Sequence, residues 1–264
     1  MGKIILLYGL NIVCSAAIYK LLLQQKTDPS ISRRIILDIL CFPFILIPIN
    51  ICINHNLIFH SIKIVVPEFL IGVYILGVAT LSVISLINWL RLFIIKRQSK
   101  ILEIRNKKCF VHTNNQLNCF SWMNDIYFPC DFNKWNEEEI QMILSHEEAH
   151  IHFHHFLDLV LIQVLCIFQW FNPAIWYWKL ELRRIHEYEA DYHVVSNTGI
   201  KKKSYEHFLL RVSNDNTFFG NVEGFKSESL KLRIIMMNNK NKIKNWVERG
   251  SIIFFLSILI SLFF

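Results

Sequence analysis

Apolar runs of membrane-crossing length recur along the chain, separated by polar stretches. The first, KIILLYGLNIVCSAAIYKLLL from Lys3 to Leu23, spans about 30 Å as a helix, enough to cross a bilayer's hydrocarbon core. The second, Ile35 to Ile53, has the right length but carries Asp38 and two prolines. Asp38 lies near the end of the run, where its carboxylate can reach the interface. The third, from about Pro67 to Ile95, is the clearest and ends in NWLRLFIIKRQSK, a Trp and a basic cluster suited to a membrane interface. The last, Ile252 to Phe264, is long enough to span only when counted from Trp246.

Between the third and last runs the pattern changes. NKWNEEEIQMILSHEEAH sets Ile140, Ile143, Leu144 and Ala149 on one side and places acids in the opening turns, which predicts an amphipathic helix with a proper start. A further apolar run, Phe156 to Arg184, reads by hydropathy as another span. Asn172-Pro173 interrupts it, and a residue before proline avoids helical geometry. The reading adopted is a helical hairpin that leaves along one arm, turns at Asn172-Pro173 and returns along Ala174 to Glu189. Its Trp170, Phe171, Trp176 and Trp178 would lie in or against the interface. An ordinary span over this run is the competing reading.

Composition agrees with a membrane protein, since 53% of the residues are hydrophobic. The net charge of +7 does not point to nucleic acid, because the basic residues sit beside apolar runs rather than on one motif. Lys26, Arg33 and Arg34 follow the first run, while the loop after the second has only Lys63. Lys96, Arg97, Lys100, Arg105, Lys107 and Lys108 follow the third; Lys231, Arg233, Lys240, Lys242 and Lys244 precede the last. All the clusters fall on one side if the N-terminus is outside, which turns residues 96–245 to the cytoplasm. The seven cysteines lack C-x-x-C spacing and suggest small buried hydrophobes rather than a disulfide framework. The first run lacks the exit of a cleavable signal peptide.

Candidate chemistry begins with His146-Glu147-x-x-His150. Histidines four apart share a helix face and can reach one zinc, and Glu147 beside them can take a proton from water. A third ligand is needed, and Glu187 and Asp191 lie four apart on the returning arm. Glu187 is taken as the ligand and Asp191 as the carboxylate that holds one of the histidines from behind. Glu189 lies roughly 200° around that helix from Glu187 and ranks below it. The hairpin is what allows both motifs to share one metal. His152, His154 and His155 are read as interface histidines, with His154 sharing the face of His150, and Asp158 as a polar anchor near the site.

With these residues in view, ILSHEEAHIHFHH through WFNP to HEYEADYHVV resembles the membrane zinc-peptidase domain of the BlaR/MecR-type sensor-transducers, peptidase family M fifty-six. The turn and the helix are most like Bacteroidetes-like members. Leu117 to Pro129 resembles the short β segment before that family's metal helix, and ESLKLRIIMMNNKNK the stretch leading to its last span. The resemblance implies a mainly α integral membrane protein with about four transmembrane helices and a gluzincin-like zinc metallopeptidase domain, with a short β segment, inserted between the third and last spans. It implies one Zn2+ on His146, His150 and Glu187, with Glu147 as base. The active site would face the cytoplasm at the bacterial inner membrane and cut the chain itself or a transcriptional repressor after an outside signal. Two departures from the family pattern stand out. Its members usually continue past the last span into a sensor or partner-binding tail, whereas the sequence given stops at Phe264 and β-lactam sensing is not expected of it. Glu148 stands where a small or apolar residue is expected.

The organisation read from the sequence is a three-helix membrane region over 1–95, a metallopeptidase domain over 96–245 with its dipping hairpin at 156–186, and a last span over 246–264. The function the motif and the resemblance together imply is a zinc-dependent endopeptidase of the antirepressor type. Its partners are a peptide or protein substrate and the bilayer, without nucleic acid, and a homo-oligomer is compatible. His186, Tyr188 and His193 are candidate oxyanion donors. The alternatives are a non-catalytic zinc-stabilised signalling scaffold, against which the intact Glu147 argues, and a small transporter or channel, which would bind no stoichiometric metal.

Overall fold

The computed structural model describes residues 12, 13, 16, 19, 28–38, 40, 68–112, 119–214 and 223–238. The last expected span, most of the first two and the segment 113–118 lie outside the described residues. Among the described residues, one helix is long and apolar enough to cross a membrane: α1, Glu68–Gln98. None of its residues is fully buried, and most of its apolar side chains are exposed, as in a segment whose solvent is lipid. Glu68 stands at one end and Lys96 and Arg97 at the other.

The described residues fall into two compact units. One holds those up to Ile84 together with Leu159–Ile185; the other holds Ser85–Asp158 and those from His186 on. In the first, an added Cβ at Gly77 would come within 2.3 Å of the Trp170 ring, so only glycine allows this close approach of helix and indole. The fully buried Trp178 lies against Tyr19, ring centroids 4.9 Å apart, and its indole N–H donates to the Ile12 carbonyl at 3.4 Å.

The second unit opens on a four-stranded sheet. Strands β1 (Lys100–Ile104), β2 (Lys107–His112), β3 (Phe120–Trp122) and β4 (Asp125–Pro129) are ordered β1-β2-β4-β3. The β1–β2 and β3–β4 pairs are antiparallel and β2–β4 is parallel, with Cys109 opposite Ile126 and Ser121 also opposite Ile126 across β4. The two-residue β1–β2 turn has positive φ at both Arg105 (49°) and Asn106 (64°), the geometry that matches the twist of a tight hairpin. The alternation along the strands turns Cys109, Val111, Ile126 and Phe128 inward. They share a core with Ile140, Ile143 and Leu144 of the next helix and with Val194, Phe208 and Leu209.

That helix, α2 (Glu137–His152), carries the H-E-x-x-H motif. Its start is a capping box: Asn136 Oδ1 accepts from the Glu139 N–H at 2.9 Å, and Glu139 Oε2 accepts from the Asn136 N–H at 2.9 Å. Three glutamates in the first turn add the charge that a helix N-terminus favours. α2 ends at His152, and His154 adopts a left-handed φ of 56°. The expectation that His154 continues the helix on the face of His150 is therefore corrected. The chain bends by 58° into α3, His155–Phe168.

After α3 the chain turns at residues 169–172 and α4, Pro173–Asn197, begins. Asn172 caps it, its Oδ1 accepting from the Ala174 N–H at 3.0 Å, and Pro173 takes the first helical position, where a missing N–H costs nothing. The Trp176 indole donates to the Trp170 carbonyl at 3.0 Å across the turn. Two further helices, α5 (Lys202–Asn214) and α6 (Glu223–Asn238), complete the described chain. They are tied by Lys202 Nζ donating to the Met237 carbonyl at 2.8 Å.

Candidate metal centre

The 3.6-residue period sets His146 and His150 on one face of α2, and α4 presents Glu187 to them. His146 Nε2 and His150 Nε2 are 3.2 Å apart, and the Glu187 carboxylate lies 3.5 Å from the first and 3.7 Å from the second. Two donors each about 2.0–2.1 Å from a tetrahedral ion stand roughly 3.4 Å apart, so the three fit one zinc-sized cation. Among the described residues this is the group of histidine and carboxylate atoms able to hold a metal.

Asp191, one turn beyond Glu187 on α4, is fully buried, with Oδ1 at 3.3 Å from His146 Nδ1. Tyr205 of α5 stands between them: its hydroxyl donates to Asp191 at 2.8 Å and lies 3.0 Å from His146 Nδ1. That oxygen can accept the Nδ1 proton of His146, leaving Nε2 turned to the ion. Arg233 of α6, itself buried, donates to both oxygens of Asp191 at 2.6 and 2.7 Å and stands 3.1 Å from Glu187. Burial alone would raise the Asp191 pKa, but the Arg233 charge and hydrogen bonds and those of His146 bring it to about 2. Burial also favours a neutral His146, yet its bonds to Asp191 and Glu187 push it up to about 10. His150, buried and facing a charged His146, is lowered to about 3.

Glu147 is buried beside the histidines, with Ser121 of β3 close enough to lower its proton affinity. Burial holds its carboxyl above the usual value, against the lowering influence of His146 and Ser121. Glu148 points the other way and pairs with Lys107 of β2, which accounts for an acid at that position.

The remaining expected residues are placed differently. His186 is buried with Nε2 at 2.9 Å from Asp158, and its ring stacks on His155, centroids 4.0 Å apart. This packing withdraws that nitrogen from the oxyanion-donor role and gives Asp158 its polar contact. Tyr188 is buried, and His193 is half-buried beside His152 and Phe153, rings 5.7 and 5.5 Å away. His155 is not an interface histidine: it is 2% exposed, with Nδ1 at 2.7 Å from His150 Nδ1 and Nε2 at 3.0 Å from Glu189 Oε2. The break at His154 is what turns it back onto the metal helix.

Sequence reasoning missed Ser121, Tyr205 and Arg233 and set His155 aside. The first three are remote in sequence from the motif, and no spacing announces them. Only the density of imidazole in HIHFHH hinted at His155.

The model of the family described as BlaR1 peptidase M56 matches residues 73–237. The chain belongs to this family. No curated protein matches it. The BlaR1-type peptidase match takes in the sheet, both motif helices, Tyr205 and Arg233. Peptidases of this family are typically metallopeptidases and membrane-associated, in keeping with the three-residue metal group and the apolar α1.

Proposed function

We propose that this BlaR1-type peptidase is a membrane-embedded zinc endopeptidase of the antirepressor kind, cutting a peptide bond in its own chain or in a cytoplasmic regulatory protein. The observation that carries the reading is the convergence of His146, His150 and Glu187 at 3.2–3.7 Å with Glu147 between the two histidines in sequence. In this reading the metallopeptidase domain runs over 96–245 and faces the cytoplasm. The arm–turn–arm at 156–186 dips into the membrane interface, and further spans precede and follow. The outward apolar surface of α1 and the basic residues at its end support it.

A zinc ion held by the two Nε2 atoms and the Glu187 carboxylate would polarise the scissile carbonyl and lower the pKa of a water from 15.7 towards about 7. Glu147 takes the proton of the attacking water on its carboxylate and delivers it to the leaving amine nitrogen. Its buried position raises its proton affinity, which suits a group that must accept a proton and hold it until the C–N bond breaks. Ser121 approaches the carboxylate from the sheet and favours its charged form. Asp191, Tyr205 and Arg233 hold His146 in the tautomer that turns Nε2 inward.

Glu147→Gln tests the reading against a non-catalytic zinc scaffold. The variant should keep one zinc per chain, by elemental analysis of the detergent-purified protein, and lose about 100-fold or more in cleavage of itself or a co-expressed partner. Unchanged processing would sink the peptidase reading, and a wild-type chain without stoichiometric metal would favour a transporter or channel.

A further inference from the structure

We propose that His155 and Glu189 are positioning residues that fix the tautomer of His150, so that its Nε2 keeps a lone pair for the metal. The inference rests on the metal-centre reading above and extends it to the side of the site that Asp191 does not reach. His150 Nδ1 faces His155 Nδ1 at 2.7 Å, and His155 Nε2 faces Glu189 Oε2 at 3.0 Å. Both His155 and Glu189 are buried, 2% and 5% exposed, so water does not substitute for these partners.

The direction of the chain follows from what each group can do. A carboxylate only accepts, so Glu189 takes the Nε2 proton of His155. Neutral His155 then has a bare Nδ1, which can only accept, and it takes the Nδ1 proton of His150. His150 is left with a lone pair on Nε2, the atom 3.2 Å from His146 Nε2 and turned to the metal position. Reversing any one bond would put a proton on the nitrogen that must bind the ion. The parallel stack of His155 on His186, itself held by Asp158, keeps the His155 ring in the plane this chain requires. The local fold supplies the geometry: the left-handed His154 lies between the end of α2 at His152 and the start of α3, and brings His155 against His150.

The probe is zinc, titrated against a competing chelator into the metal-stripped, detergent-purified full chain. His155→Phe keeps the ring and its stack on His186 but offers no acceptor. Glu189→Gln presents an amide that can donate to His155 and reverse the chain. His155→Gln keeps the polarity without the ring, its carbonyl facing His150 and its amide facing Glu189. Loss of such outer partners typically weakens metal binding about 10–100-fold, and that loss is expected for His155→Phe and for Glu189→Gln. The double variant should be no weaker than the worse single, and His155→Gln should hold zinc nearly as tightly as the unaltered chain. If the Phe variant binds like wild type, or the Gln variant fails as badly as Phe, His155 serves packing alone and the inference is overturned. Should the Phe variant not fold, as judged by circular dichroism, equal affinities of Glu189→Gln and His155→Gln overturn it instead. A wild-type chain that takes up no zinc overturns the metal centre itself, a result separate from either of these.

Discussion

His146 and His150 stand one helical turn apart yet differ sharply in proton affinity, one raised to about 10 and the other lowered to about 3. The difference comes from their surroundings: Asp191 and Glu187 bond His146 and raise it against its burial, whereas burial and the charge of His146 lower His150. A metal ion entering between them must displace the proton held by His146 and none from His150. Because the His146 value lies above neutrality, that displacement is required at every pH below about 10. Raising the pH by one unit from 5 to 6 should therefore tighten zinc binding about tenfold, one proton being released per ion. Calorimetry in buffers of different ionisation enthalpy counts that proton. A pH-independent affinity over this range would mean that His146 is already neutral. At this scale the sequence was most informative about the metal group, since the three residues it singled out, His146, His150 and Glu187, are the ones whose atoms lie together. It was least informative about His155, read as an interface histidine, because one left-handed residue at His154 turns it onto the back of His150.

At the scale of elements, α2 and the turn before α4 were legible because their signals are local. Asn136 with Glu139, and Asn172 with Pro173, each settle a helix end within four residues. The sheet was less so: β3 and β4 fall within the segment read as β, but β1 and β2 were not anticipated. Their strand signal is weak, because β1 is exposed over most of its length and both strands begin with charge. The tie between α6 and α4 was not legible at all, since Arg233 and Asp191 are 42 residues apart. In sequence Arg233 reads as one member of a basic approach to a span, whereas in the fold its charge is spent inside on Asp191 and Glu187. Arg233→Leu would leave Asp191 charged and fully buried without its cation. Breaking a buried pair from one side costs about 3–5 kcal/mol, so a large drop in the thermal midpoint is expected in detergent. Arg233→Leu combined with Asp191→Asn should be milder than the single change, because the stranded charge is gone. A single variant as stable as wild type would show that the pair contributes little to holding α6.

For the whole molecule, the proposed orientation rests on charge and not on packing. α1 carries Glu68 at one end and Lys96 and Arg97 at the other, and Lys100, Arg105, Lys107 and Lys108 follow in the first two strands and their turn. Several of these are engaged: Lys96 donates to Asp125 at 2.5 Å, Arg105 bonds Glu137 and Gln141, and Lys107 pairs with Glu148. Their positive charge thus serves the fold of the sheet-bearing unit; in the proposed topology it also sets orientation, since lysines and arginines flanking a span bias their side towards the cytoplasm whether or not acids neutralise them. The metal-bearing chain leaves α1 at that basic end, so Glu147 and its neighbours should be reached only from the cytoplasm. A small epitope inserted after Asn114 should stay protected from an impermeant label or protease in intact spheroplasts and become accessible when the membrane is opened. Labelling of intact cells at that site would reverse the orientation, and with it the choice of substrate, from a cytoplasmic regulator to a protein outside the membrane.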